Sequence, residues 1–207
     1  MSSHGPVPSS SSKVWIDPAL LPSDLETDIA SVAGNAPDGV KQLVVNTFYA
    51  YGVGTSPDTF GYRVGRATRW VDMSVSAAER QASVKKGKQR MEAVTVAEVT
   101  VSKDMLNGAG MLHGGCLTYL IDNCASTPLI VLGLLSGMNG VGVTQSMNVL
   151  FHAPAPLGTR LRITSSTIAL GGRVMTARCE ITDDRSGRVV ASAFLNKMQP
   201  QTTQSKL

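Results

Sequence analysis

Leu112-His113-Gly114-Gly115-Cys116-Leu117-Thr118-Tyr119-Leu120-Ile121-Asp122-Asn123-Cys124-Ala125-Ser126-Thr127-Pro128-Leu129-Ile130-Val131-Leu132 is the stretch whose reading decides the fold. Leu117, Leu120, Ile121, Cys124, Val131 and Leu134 recur at three- and four-residue steps, the period of a helix. This helix is apolar nearly all round, with only Thr118, Asp122 and Ser126, four residues apart, and Asn123 beside them, forming a narrow polar stripe. Such a helix must be enclosed, and a strongly curved sheet is the simplest wrapper. Pro128 removes the bond to the Cys124 carbonyl and predicts a kink. The apolar run from Cys116 to Gly137 is long enough to test as a membrane span, but Asp122, Asn123, Ser126 and Thr127 interrupt it, so a buried helix and no membrane span are expected.

Strand signals flank the helix on both sides. Before it, Arg69 to Val75 and Met91 to Val101 read as a long hairpin, with the polar, basic stretch from Glu79 to Arg90 as its connection. After it come four runs with period-two alternation: Val141 to His152, Leu161 to Leu170, Val174 to Ile181 and Val189 to Leu195. Short turn-rich connections, among them Ala153 to Gly158 and the pair Gly171-Gly172, predict an antiparallel meander of these four. The expected layout is α+β: one long central helix across a curved antiparallel sheet of about six strands. Pro22 to Val32 and Gly39 to Tyr51 are helix candidates, so residues 17–61 are expected to be an N-terminal helical extension of a domain at 62–198.

With 207 residues and 43% hydrophobic content, the chain suits one domain with an appendage. A formal charge of +4, with no basic stripe studded by aromatics, argues against nucleic acid but suits a phosphorylated small molecule. Cys116, Cys124 and Cys179 show no CxxC spacing, which points away from disulfides and zinc toward a reducing interior. Residues 1–16 lack the apolar core of a secretory signal and read as a disordered tail. At the other end, residues 199–207 read as a flexible tail closing in Ser205-Lys206-Leu207, the address read by the peroxisomal import receptor. Peroxisomal localisation is therefore expected, with cytoplasm or mitochondrion as alternatives.

The chemistry is expected where a glycine-rich loop, Asn107 to Gly115, runs into the helix. A helix start offers N–H groups without intrahelical partners and a partial positive charge, so it can hold a developing oxyanion. Glycine at 114 and 115 lets a carbonyl approach closely. Asp122 is an acidic group in an otherwise apolar helix with no basic residue one turn away, which makes it a candidate general base or nucleophile. Eight residues separate Gly114 from Asp122, about 12 Å along one helix, too far for both to address one carbonyl. If both act, they come from different subunits, and two antiparallel helices about a two-fold axis would supply two equivalent sites.

The run Asn107 to Gly115, followed by Leu120-Ile121-Asp122-Asn123, resembles the hotdog-fold acyl-coenzyme A thioesterases. Gly142-Val143-Thr144 with Met147-Asn148, Pro154 to Gly158 and Ala191 to Lys197 agree, and the likeness spans roughly Tyr62 to Met198. It implies that Asn107 and the Gly114 amide polarise the thioester carbonyl while His113 shapes the loop. Asp122 of a second subunit would activate water, which the hydroxyl of Thr144 helps to place. The reaction implied is hydrolysis of acyl-CoA to free acid and coenzyme A, with no metal and no bound cofactor, in a homodimer or a tetramer made of dimers. Gly115 is expected to border the substrate, and Arg173 and then Lys197 are the candidates to hold the coenzyme A phosphates. Two other readings stay open: a hotdog hydratase or dehydratase using His113 with Asp122, and a non-catalytic acyl-CoA binding protein. A metal or Cys-His nucleophile built on His113, Cys116 and Cys124 fails for want of a fourth ligand.

Overall fold

The computed structural model describes residues 16–21, 28–77 and 90–199. Two short α-helices, α1 (Asp38–Ala50) and α2 (Tyr62–Ala67), precede strands β1 (Arg69–Ala77) and β2 (Met91–Thr100). The long helix α3 (Gly114–Leu135) follows, then β3 (Val143–Phe151), β4 (Arg160–Leu170), β5 (Val174–Asp183) and β6 (Val189–Met198). All six strands form one antiparallel sheet in the order β1-β2-β4-β5-β6-β3. The connection between β1 and β2, with Lys85, Lys86 and Lys88, lies outside the described residues, as do the two ends, including Ser205-Lys206-Leu207.

The helix at the centre is long and apolar enough to cross a membrane, but most of it is buried within the protein. Leu120, Ile121, Leu129 and Val131 lose essentially all contact with water, and the inward faces of β2, β4, β5 and β6 close over its front half. Burying one such side chain stabilises the fold by about 1.5–3 kcal/mol. His113 caps the start of α3, its Nδ1 accepting from the Gly115 N–H at 2.8 Å. Gly137, at φ +66°, follows the last turn, where the Met138 N–H returns to the Gly133 carbonyl. Pro128 does not end the helix, which continues seven residues beyond it to Leu135.

Two expectations are corrected. The four later strands are not a meander: β4, β5 and β6 are, but β3 pairs with β6 at the sheet edge and β4 pairs with β2. The segment read as a turn, Ala153 to Gly158, is instead a crossover. Two prolines deprive it of donors for a tight hairpin, Ala155 is buried, and its carbonyl accepts the Leu112 N–H at 2.8 Å, pinning the glycine-rich loop. The second correction concerns Pro22 to Val32. Its described part is a single 3-10 turn, Ile29–Ser31, and residues 22–27 lie outside the described ones.

The extension packs on the rear half of α3, where Val44, Val45 and Phe48 of α1 meet Ile130, Val131 and Met73. It also covers one sheet edge. Ala33 exchanges backbone hydrogen bonds with Val71 and Met73, and the Asn35 side chain both donates to and accepts from Val75. The β1 edge is thereby occupied, while among the described residues the β3 edge carries no further strand.

Candidate active site

The loop before α3 is built by Asn107. Its Oδ1 accepts from the N–H groups of Ala109 (2.9 Å) and Met111 (3.2 Å), and Gly110 makes the turn at φ +76°. With Oδ1 turned inward, the Asn107 amide leaves its Nδ2 donors facing outward on an exposed loop. At the helix start the two glycines differ. The Gly115 N–H is taken by His113, whereas the Gly114 N–H has no hydrogen-bond partner among the described residues. Gly114 thus presents an open backbone donor at the helix start, and Gly115 serves the cap.

The second half of the site lies two turns along α3. Asp122 is half-buried, and its Oδ1 accepts a hydrogen bond from the Thr144 hydroxyl at 2.6 Å. Its Oδ2 has no hydrogen-bond partner among the described residues. A β-bulge between Thr144 and Ser146 breaks the alternation of β3 and turns Thr144 inward, to the same face as Met147 and Val149. Asp122 and Thr144 face a cavity of about 440 Å³ closed by Thr47 and Phe48 of α1 and by Tyr51 at its C-terminal cap.

Lys197 shares that cavity. It stands opposite Thr144 in the β3–β6 ladder, is 8% exposed, and its Nζ donates to the Ser126 hydroxyl at 2.7 Å. Ser126 in turn donates to the Asp122 carbonyl at 2.6 Å. Burial pulls the Lys197 ammonium below the usual lysine range, and the nearby Asp122 charge opposes that pull. Lys197, expected to hold coenzyme A phosphates, is here a buried ammonium tied to α3. Arg173 is exposed, between β4 and β5, at the end of the sheet where Lys197 stands.

One protomer therefore brings Asp122, Thr144 and Lys197 together and holds Asn107, His113 and Gly114 apart from them. Burial pushes the Cys116 thiol up to about 11, with Asp104 adding to it, and pushes Cys124 well above its ordinary value, with Cys179 adding. Neither is poised as a thiolate nucleophile. Among the described residues no cluster of His, Cys, Asp or Glu could hold a metal ion. Ser126 continues the polar stripe of Asp122 as expected, but Lys197 was missed as its neighbour, although Ala191, Ala193, Leu195 and Lys197 continue one inward face of β6. Extending the alternation two residues past Leu195 exposes a lysine on a buried row.

This sheet and helix define a hotdog-fold protein, and residues 109–190 match the sequence model of the thioesterase superfamily. Acyl-coenzyme A thioesterase 13 of Homo sapiens is 28% identical over 96 residues, 46% of this chain and 66% of that protein. The Mus musculus protein of the same name is 26% identical over the same length and shares. The matched segment spans just under two thirds of these relatives. Zebra fish thioesterase superfamily member 2 superimposes with a TM-score of 0.56 at 20% identity, over 76% of this chain and 98% of that one, which supports the fold.

Proposed function

We propose that this chain is an acyl-CoA thioesterase whose site is completed by a second copy of itself. The observation that carries this reading is the Asp122 carboxylate, fixed on one oxygen by Thr144 and free on the other, facing a cavity. Oδ2 takes a proton from water as the water oxygen bonds to the thioester carbon. The carbonyl oxygen gathers the displaced electron pair and is held by the Gly114 N–H and Asn107 Nδ2 of the other copy. Collapse re-forms the carbonyl, breaks the carbon–sulfur bond and releases coenzyme A as thiolate, leaving a carboxylic acid. The two protons, one on Asp122 and one on the new acid, return to thiolate and solvent.

The way two copies meet follows from β3. At its C-terminal end Phe151 lies 3.5 Å from where a Cβ on Gly114 would stand, and at its start Thr144 holds Asp122. Pairing two β3 edges antiparallel sets the end of one strand beside the start of the other. That brings the helix start of each copy to the Asp122 of its neighbour. Val143, Leu150 and Phe151, apolar and more than half exposed in one chain, supply surface for that contact. The relatives named acyl-coenzyme A thioesterase support the substrate class, and Arg173 is the exposed cation we assign to the coenzyme A phosphates.

The test is release of free thiol from a panel of acyl-CoA esters by the wild type and by Asp122→Ala. The variant should lose at least about a hundredfold in kcat. Hydrolysis that survives in it would sink the mechanism, tight binding without thiol release would mark a binding protein, and addition of water across an enoyl chain would mark a hydratase.

A further inference from the structure

We propose that Lys197 is a positioning residue for Asp122, anchored through Ser126 so that its charge acts on the carboxylate while Oδ2 stays free for water. The inference rests on the thioesterase reading above and adds a residue to its machinery. Adjacent residues on facing strands grip one helical position from two sides: Thr144 bonds the carboxylate, and Lys197, through Ser126, bonds the backbone of the same residue. The Ser126 hydroxyl accepts from one neighbour and donates to the other, so the ammonium is fixed relative to the helix and not merely near it. Room for the lysine comes from Gly142, where a Cβ would stand 2.8 Å from the Lys197 Cβ.

Burial argues for a role. The row Ala191, Ala193, Leu195 is apolar, and continuing it with leucine or methionine would avoid the desolvation of a charge, which costs several kcal/mol. Among the residues around this cavity the titratable groups are Asp122 from α3, Tyr51 from the C-terminal cap of α1 and Lys197 itself from β6. Burial raises Tyr51 above the usual phenol range, so it stays neutral and Asp122 is the counter-charge. The attraction is reciprocal: an ammonium held beside a carboxylate lowers the carboxylate's hold on its proton.

The decisive experiment is the pH dependence of kcat/KM for acyl-CoA hydrolysis by full-length wild type, Lys197→Met and Ser126→Ala. Removing the charge should move the acid limb of Lys197→Met upward by about one pH unit or more. Ser126→Ala should lower kcat while leaving the limb within a few tenths of a unit. A limb at the wild-type pH in Lys197→Met, whatever its kcat, overturns the proposal. The nuclear magnetic resonance titration of the Lys197 ε-carbon in wild type and Asp122→Asn gives a readout independent of turnover and of the folding of Lys197→Met. It should fall by about one unit in Asp122→Asn, and an unchanged value also overturns the coupling. Absence of hydrolysis in the wild type would sink the thioesterase reading alone, since this titration still decides the pairing.

Discussion

Among the described residues Asp122 receives one hydrogen bond at its carboxylate, and in the proposed mechanism that bond sets which oxygen meets water. Replacing Thr144 by valine keeps the shape and removes the donor. A hydrogen bond to a charged group contributes about 1.5–3 kcal/mol, so Thr144→Val should lower kcat by roughly ten- to a hundredfold. Steady-state kinetics should show KM little changed and Thr144→Ser close to wild type. Asp122 was legible in the sequence because a charge on a wholly apolar helix stands out against its surroundings. Thr144 was named through the resemblance alone, and Lys197 was not foreseen beside it. Thr144 reaches it through a bulge that strict alternation cannot foresee, and Lys197 reaches it across the fold from a strand whose last residues lay past the assumed end. The difference between Gly114 and Gly115 depends on a histidine rotamer, which no spacing encodes.

Among the elements, the central helix and all six strands could be placed from periodicity, since each has a buried face that repeats. The order of strands in the sheet could not, because a proline-rich connection reads alike whether it turns back or crosses over. The extension was read as helical, yet part of its structural work is done by the irregular segment 33–36 along β1. Gly34 permits this, with φ +93° and its would-be Cβ 2.3 Å from the Met73 carbonyl oxygen. Gly34→Ala should therefore cost about 2–4 kcal/mol. Thermal unfolding should show a lower Tm, with aggregation on warming as the β1 edge opens; an unchanged Tm would show that the segment holds no stability.

The outer face of the sheet carries a second electrostatic feature. Glu98 is buried, and Arg69, Arg160 and Arg162 meet its carboxylate at 2.7, 2.7 and 3.1 Å. Burial alone would raise Glu98, but hydrogen bonds and charge from Arg160 and Arg69 outweigh it and hold the carboxyl below its ordinary value. The folded state then binds fewer protons than the unfolded one across that interval. Its contribution is complete above the unfolded Glu value, about 4.3, and is lost as pH falls through the lower folded value. Glu98→Gln should thus reduce stability at neutral pH by about 2 kcal/mol. Denaturant titrations should converge with wild type in acid, and a gap that persists there would assign the effect to packing.

At the scale of the whole molecule, one chain holds the two halves of the proposed site apart: an open amide at the start of α3 and an open carboxylate oxygen two turns along it. The separation was legible in the sequence as an eight-residue spacing. The surface proposed to close it was not, because an edge strand is recognisable only once strand order is known. Leu150 and Phe151 on β3 mark that surface, while segment 33–36 occupies the opposite edge.

The most direct test mixes two defective variants, Asp122→Ala and Asn107→Ala, after subunit exchange. A mixed pair has one site with both defects and one with neither, so if half of all pairs are mixed, about a quarter of wild-type acyl-CoA hydrolysis should return. A mixture no more active than the average of its two components would contradict a site shared between chains.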